Sequence, residues 1–229
     1  MNILEIFELT KKYKQNTVLE NINFKIPQNS ITGIIGPNGA GKSTVLKLIT
    51  GFETITSGKI LYKNQEITNL NDKMKIFSYM PENMKLYPDY TIEELLCFYK
   101  KTTENFSEEI FKNLGLFKIK RKKIKNLSKG YKQRLKLFFA ISNNKEIILL
   151  DEPFDGFDPI QLLEILKLIK KINKTFIVSI HQLYDAEKIC DYFVLLNDKK
   201  VIAEGNLESL RKKFNVNGHL EDIFIKALS

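Results

Sequence analysis

The 229-residue chain is poor in several features that would settle its class at once. No apolar stretch approaches the roughly 20 residues that a bilayer-crossing helix needs, so the chain is not expected to span a membrane by itself. Residues 1–10 carry Glu5 and Glu8 and show neither a basic flank nor a cleavage site, which argues against a signal peptide. There are two cysteines, Cys97 and Cys190, far apart and each among apolar and aromatic residues. They read as buried free thiols rather than a disulfide or a metal pair, and the cytosol is the natural compartment. Two histidines and no Cys/His cluster leave no visible zinc site. Internal repeats, sustained heptads and Gly/Ser- or Pro-rich linkers are missing too.

What is present points to a folded chain. A hydrophobic share of 43% excludes disorder, and the length suits one domain with an inserted lobe or two small domains. Lys and Arg number 36 against 27 Asp and Glu, a net charge of +9. Such a balance suits nucleic acid, anionic lipid or phosphorylated ligands, although lysines spread over solvated faces explain most of it. One stretch is less even. Residues 110–145 hold no acidic side chain, while Lys118, Lys120, Arg121, Lys122, Lys123 and Lys125 crowd together. Charge alone does not choose among these partners, and a solvated face is the favoured reading.

Residues 3–9 and 18–26 read as strands, the second ended by Pro27-Gln28-Asn29-Ser30. The β-branched run Ile31-Thr32-Gly33-Ile34-Ile35 leads into a glycine-rich loop, and Val45, Leu46, Leu48 and Ile49 then follow helical spacing up to Gly51. Further strands are expected at 58–62 and 76–80. From about 82 to 142 the pattern is helical, with Thr91 and Glu94 forming a capping box before 92–101 and Ser107 opening a second helix. Apolar runs at 146–150 and 175–180 flank a helical stripe of Ile160, Leu162, Leu163, Leu166, Ile169 and Ile172. Strand, helix, strand in that order implies a parallel sheet covered on both faces.

Gly36-Pro37-Asn38-Gly39-Ala40-Gly41-Lys42-Ser43 satisfies the phosphate-binding P-loop pattern in full. Its glycines let successive N–H groups turn inward on phosphate oxygens, and the next helix adds its positive end. Lys42 would reach the β- and γ-phosphates, and the Ser43 hydroxyl would ligate Mg²⁺. The apolar run 147–150 ends in Asp151-Glu152, which puts one carboxylate at the sheet edge to hold the metal and a second to polarise a water. These residues define a P-loop NTPase. The Asn-Lys-x-Asp guanine motif is missing, which counts against GTP.

Leu127-Ser128-Lys129-Gly130-Tyr131-Lys132-Gln133-Arg134 resembles the signature motif of ATP-binding cassette (ABC) ATPases. Ser128 reads as a helix N-cap, with Tyr131, Leu135 and Phe138 as a buried stripe behind it. The resemblance extends in order through Tyr13, Tyr79-Met80-Pro81-Glu82, Asp155-Gly156-Phe157-Asp158 and His181, and covers residues 3 to about 204. It implies an α/β fold: a P-loop NTPase core with a parallel sheet, an N-terminal antiparallel β part and an inserted helical subdomain. The expected division is 1–81 and 143–205 for the core, 82–142 for the helical subdomain and 206–229 for a helical tail.

The resemblance also implies site residues. ATP would be held by Tyr13, stacked on adenine, with Gly36, Pro37, Asn38, Gly39, Ala40, Gly41, Lys42, Ser43 and Thr44. Catalysis would fall to Glu152, His181, Lys42 and Glu82; Mg²⁺ would sit on Ser43 and Asp151, with Glu82 a third candidate. Ser128, Gly130 and Asp158 would act across a head-to-tail homo- or heterodimer. The implied protein is a transporter ATPase on the cytoplasmic face of a membrane, driving a separate permease, with no nucleic-acid partner. A soluble ABC ATPase of iron–sulfur assembly or translation type shares every motif. The chain departs from the family pattern where Glu82 replaces a Gln, Lys129 the first signature Gly, Tyr131 a Gln, and Phe154 and Phe157 smaller residues. With the tail Leu220-Glu221-Asp222-Ile223-Phe224, these departures resemble the drug-, bacteriocin- and sodium-efflux branch.

Overall fold

The computed structural model describes residues 1–102 and 106–228. Two long strands, β1 (Asn2–Tyr13) and β2 (Asn16–Pro27), form an antiparallel hairpin, and β3 (Ile31–Ile35) leads through residues 36–41 into α1 (Lys42–Thr50). Then come β4 (Ser57–Tyr62), β5 (Gln65–Glu66), α2 (Leu70–Ile76) and β6 (Phe77–Met80). A helical stretch follows: α3 (Ile92–Thr102), α4 (Glu108–Asn113), two short 3₁₀ turns, and α5 (Lys129–Ile141). The chain closes with β7 (Ile147–Asp151), α6 (Pro159–Lys171), β8 (Thr175–Ile180), α7 (Leu183–Ile189), β9 (Tyr192–Asn197), β10 (Lys200–Gly205), α8 (Leu207–Phe214) and α9 (Leu220–Leu228).

Among the described residues the strands make two sheets. One runs β2-β1-β4-β5 and is antiparallel; the other runs β10-β9-β3-β8-β7-β6 and is parallel except for its β10 edge. The parallel strands are buried on both faces, as their unbroken apolar runs require. Successive residues alternate between two cores. Ile148, Leu150, Phe176, Val178, Phe193 and Leu195 face the helices α3 to α7, whereas Ile147, Leu149, Ile177, Val194 and Leu196 face α1 and the antiparallel sheet. The P-loop therefore emerges from the middle of a sheet clamped on both sides.

Capping chemistry sets the helix starts. The Thr91 hydroxyl accepts from the Glu94 amide while the Glu94 carboxylate accepts from the Thr91 amide, the reciprocal pair expected of a capping box. The Ser107 and Ser128 hydroxyls cap α4 and α5 one way only, accepting from the Ile110 and Tyr131 amides. Two expectations fail. Cys97 is exposed, because α3 turns Ile92, Leu95 and Leu96 inward and a residue one step past Leu96 faces out. Tyr131 is 38% exposed, because the start of α5 packs Gly130 and Gln133 against residues 152–161 and leaves Tyr131 at the solvent side. Cys190 is the buried free thiol expected, and burial raises its pKa. The basic cluster meets carboxylates that its own segment lacks: Lys120 and Arg121 approach Glu93, and Lys125 lies 2.8 Å from Asp89.

Phe138 is fully buried, with the rings of Tyr99, Phe106, Phe111 and Phe139 edged around it. Phe138→Ala should cost about 3–5 kcal/mol of stability. A lowered denaturant midpoint would show it, and a midpoint equal to the parent's would contradict this view of the helical core.

Candidate active site

Residues 36–41 link the end of β3 to α1. Gly41 has φ +100, and a β-carbon there would meet Leu19 Cδ2 at 2.6 Å, so the turn admits only glycine. Gly41 offers the helix no side-chain cap, which leaves the first amides of α1 free to face an anion. Lys42 is buried and its ammonium donates to the carbonyls of Gly36 at 2.8 Å and Pro37 at 3.2 Å. Asn38, Gly39, Lys42, Ser43 and Thr44 all line a cleft of about 1130 Å³ between the P-loop and the helical stretch. Gly36 and Ala40 are buried beneath it, with Pro37 exposed.

Asp151 closes β7 with only 2% of its surface exposed. The hydroxyls of Ser43 and Ser179 donate to its Oδ1 at 3.0 and 2.6 Å, and the Tyr79 hydroxyl donates to Oδ2 at 3.3 Å. Burial, then the Asp151 charge, raises the Tyr79 pKa, so the phenol stays a donor. Asp151 with the Ser43 hydroxyl makes a hard, two-oxygen set. The described residues contain no cluster of three acidic, His or Cys ligands. The oxygen pair of Asp151 and Ser43 fits a hard cation such as Mg²⁺, which is bound through one or two protein oxygens together with waters and substrate phosphates.

Glu152 follows in the left-handed region, φ +47. Two hydrogen bonds hold this strained backbone: its N–H donates to Ser179 Oγ at 2.9 Å, and its carbonyl accepts from Gln133 Nε2 at 3.3 Å. Gln133 also donates to the Pro153 carbonyl at 2.8 Å. The carboxylate is thereby aimed into the cleft, with His181 Nδ1 2.8 Å from Oε2 and Lys42 Nζ 4.0 Å from Oε1. A carboxylate between a ring nitrogen and a cation at a phosphate-binding loop is equipped to accept a proton from water.

The other expected residues lie further out. Glu82 lines the cleft, and its carbonyl accepts from Lys136 at 3.2 Å. Tyr13 ends β1 outside the cleft lining, 40% exposed, with the Lys11 ammonium 4.4 Å from its ring centroid. Ser128 Oγ accepts from the Tyr131 amide, and Asp158 Oδ1 accepts from the Gln161 amide, each at the start of its own helix. Ser128, Gly130 and Asp158 are not among the residues lining the cleft.

A profile of the ABC transporter family matches residues 19–155. The chain belongs to that family. It is 32% identical over 230 residues to the lantibiotic transport ATP-binding protein SrtF of Streptococcus pyogenes, covering 97% of this chain and 96% of that one. It is also 32% identical over 239 residues to the ABC-type transporter ATP-binding protein EcsA of Bacillus subtilis, covering 99% and 96%. The solved structure of an ATP-binding subunit of an ABC transporter superposes with a TM-score of 0.86 at 28% identity, covering 99% of this chain and all of that one. A bacterial Atm1-family ABC exporter shares the fold, with a TM-score of 0.82 at 21% identity. This ABC protein is thus an ATP-binding subunit of a transport system, and its reaction is ATP hydrolysis coupled to transport. Among the described residues no helix is long and apolar enough to cross a membrane.

Three contributors to the ABC site escape sequence reasoning: Ser179, Tyr79 as a donor, and Gln133. Ser179 reaches Asp151 only because β8 lies between β3 and β7, which strand order alone reveals. Gln133 stands inside the signature-like segment 127–134 and carries no mark of its own. Gln133→Leu should lower kcat about tenfold while leaving KM for ATP within about twofold, since the Glu152 and Pro153 carbonyls lose their donor and Glu152 loses its aim. Steady-state phosphate release would measure this; a change in KM alone would contradict it.

Proposed function

We propose that this subunit closes as a head-to-tail dimer over two ATP molecules and thereby drives a separate membrane permease, working as an exporter from the cytoplasmic face. One observation carries the reading. Lys42, Ser43, Glu152 and His181 line one cleft, with Asp151 bonded to Ser43 beneath it, whereas Ser128, which caps α5, and Gly130 in its first turn do not line it, although Lys129 between them does. A second copy related by a two-fold axis would bring its Ser128 turn over the exposed side of that cleft. The Streptococcus relative is named for lantibiotic transport, which together with the resemblance to the bacteriocin branch supports export.

Phosphoryl transfer to water needs charge neutralisation, alignment and a positioned nucleophile. Lys42 exchanges its two loop carbonyls for the β- and γ-phosphates. Magnesium, when bound at Ser43 and Asp151, supplies further positive charge at the phosphates. Glu152 takes the proton of the attacking water, and His181 keeps that carboxylate turned toward the γ-phosphate. Glu82, a carboxylate at the cleft rim, accepts hydrogen bonds only, unlike the amide usual there. Triphosphate then favours closure, and hydrolysis reopens the pair.

Glu152→Gln should trap an ATP-dependent dimer, since water activation is lost while the binding groups stay. Light scattering with and without ATP measures it, and a monomer at every ATP concentration contradicts it. Lys42→Ala should lose nucleotide affinity itself. Ser128→Arg should abolish hydrolysis yet spare binding of a fluorescent ATP analogue to the single chain; loss of both would sink the shared-site reading.

A further inference from the structure

The nucleotide cleft has a basic wall on its helical side. Lys125, Lys129, Lys132 and Lys136 line it there, across from Lys42, Ser43 and Thr44 on the P-loop side. Two of the four are matched by carboxylates: Lys125 lies 2.8 Å from Asp89, and Lys129 lies 2.9 Å from Asp155. Lys136, half-buried on α5, rests on a neutral group instead. Its ammonium donates to the backbone carbonyl of Glu82 at 3.2 Å.

Lys136 repeats, from the opposite wall, the arrangement of Lys42. Lys42 also rests on carbonyls, those of Gly36 at 2.8 Å and Pro37 at 3.2 Å. A carbonyl takes one N–H of an ammonium that has three, and it brings no full charge against the cation. Burial lowers the Lys136 pKa, the Glu82 and Asp155 charges oppose that, and Lys129 adds to it. Lys132 stands one turn earlier on α5 and lines the same cleft, and like charges at that spacing repel. An anion between the walls relieves both the poor partner and the repulsion. A half-buried ammonium bonds a phosphate oxygen more strongly than a carbonyl, because the charges attract and water screens them less.

We propose that Lys136 is a second phosphate-binding lysine of this chain's own nucleotide site: its ammonium leaves the Glu82 carbonyl for the triphosphate that the P-loop holds. Lys42 and Lys136 then take the phosphates from two sides of one cleft. The inference concerns ATP binding by a single copy and stands apart from the dimer reading above. A monophosphate brings less charge and fewer oxygens, so the Lys136 contact favours the triphosphate. The acceptor-only carboxylate of Glu82 adds negative charge at the cleft, and Lys136 places a cation beside it where phosphates enter.

The test uses the full chain in magnesium-free buffer, diluted until light scattering reports a monomer. It reads displacement of a fluorescent ATP analogue by ATP, by inorganic tripolyphosphate and by AMP. Lys136→Met should weaken ATP and tripolyphosphate roughly tenfold and AMP by less than about twofold, while Lys136→Arg should stay near the parent. Lys136→Gln separates a phosphate contact from a mere tie, since its amide still donates to the Glu82 carbonyl but carries no charge. It should lose affinity as Lys136→Met does. Parent-like affinity in Lys136→Gln, or an equal loss for AMP and ATP in Lys136→Met, means that Lys136 only holds the Glu82 turn, and the proposal is overturned.

Discussion

A carboxylate with almost no access to water must be hydrogen-bonded or neutralised, and Asp151 meets that demand with three hydroxyls. They come from three places: the start of α1, the middle of the sheet at Ser179, and the outer strand at Tyr79. The strand order β3-β8-β7-β6 is what brings them together, since parallel register sets Ser179 opposite Asp151 and Ile34 alike. Satisfying one buried charge therefore fixes the P-loop serine relative to the end of β7. Glu152, one residue further, inherits that position, and its left-handed backbone is held by the other side of the same Ser179 hydroxyl.

The parts legible in the amino-acid order are those where chemistry demands particular residues at fixed spacing. The P-loop needs glycine at Gly41 because any β-carbon strikes Leu19, and the carboxylates need to end a buried strand. Capping boxes and two-sided apolar runs are local for the same reason. What stayed hidden depends on neighbours distant in sequence. The helix α2 has no apolar stripe to betray it, with Leu70 and Met74 both exposed. The strand β9 starts directly after the short α7, with only Cys190 and Asp191 between them, so no turn signal marks where the helix stops and the strand begins. Tyr131 obeys the helical period of Leu135 and Phe138, yet the period says nothing about where the core stops. Gln133 looks like any polar residue on a helix until the carbonyls beneath it are seen.

Charge shows the same limit of local reading. Residues 110–145 look unrelieved in sequence because their counter-charges lie upstream, at Asp89 and Glu93 beside the start of α3. The fold answers part of the basic cluster across that junction, where Thr91 also bridges to Lys123 and the amides of Ile92 and Glu93 bond to the 120–122 backbone. These exposed pairs contribute little stability individually. They do tie the segment before the signature turn to the loop that follows Glu82, joining the two cleft walls on the helical side into one bonded piece.

That piece is rooted at one end. Ser78 of β6 donates to the Ala140 carbonyl in the last turn of α5, and Leu135, Leu137 and Phe138 sink the middle of the helix into the core shared with β6, β7 and β8. At the other end Ser128 and Lys129 are exposed, while Leu127 and Gly130 beside them are buried, Gly130 against Gln161 and Gly156. Two ties run from this part of α5 to the catalytic loop, an exposed one at Lys129 and a buried one at Gln133, one turn further in. A tilt of α5 that moves the Ser128 turn must pull on the carbonyls of Glu152 and Pro153 through Gln133, because a buried amide bond is kept when an exposed ion pair is let go. Displacement of the Ser128 turn from outside would therefore reach the Glu152 backbone through the Gln133 amide rather than through the exposed Lys129–Asp155 pair.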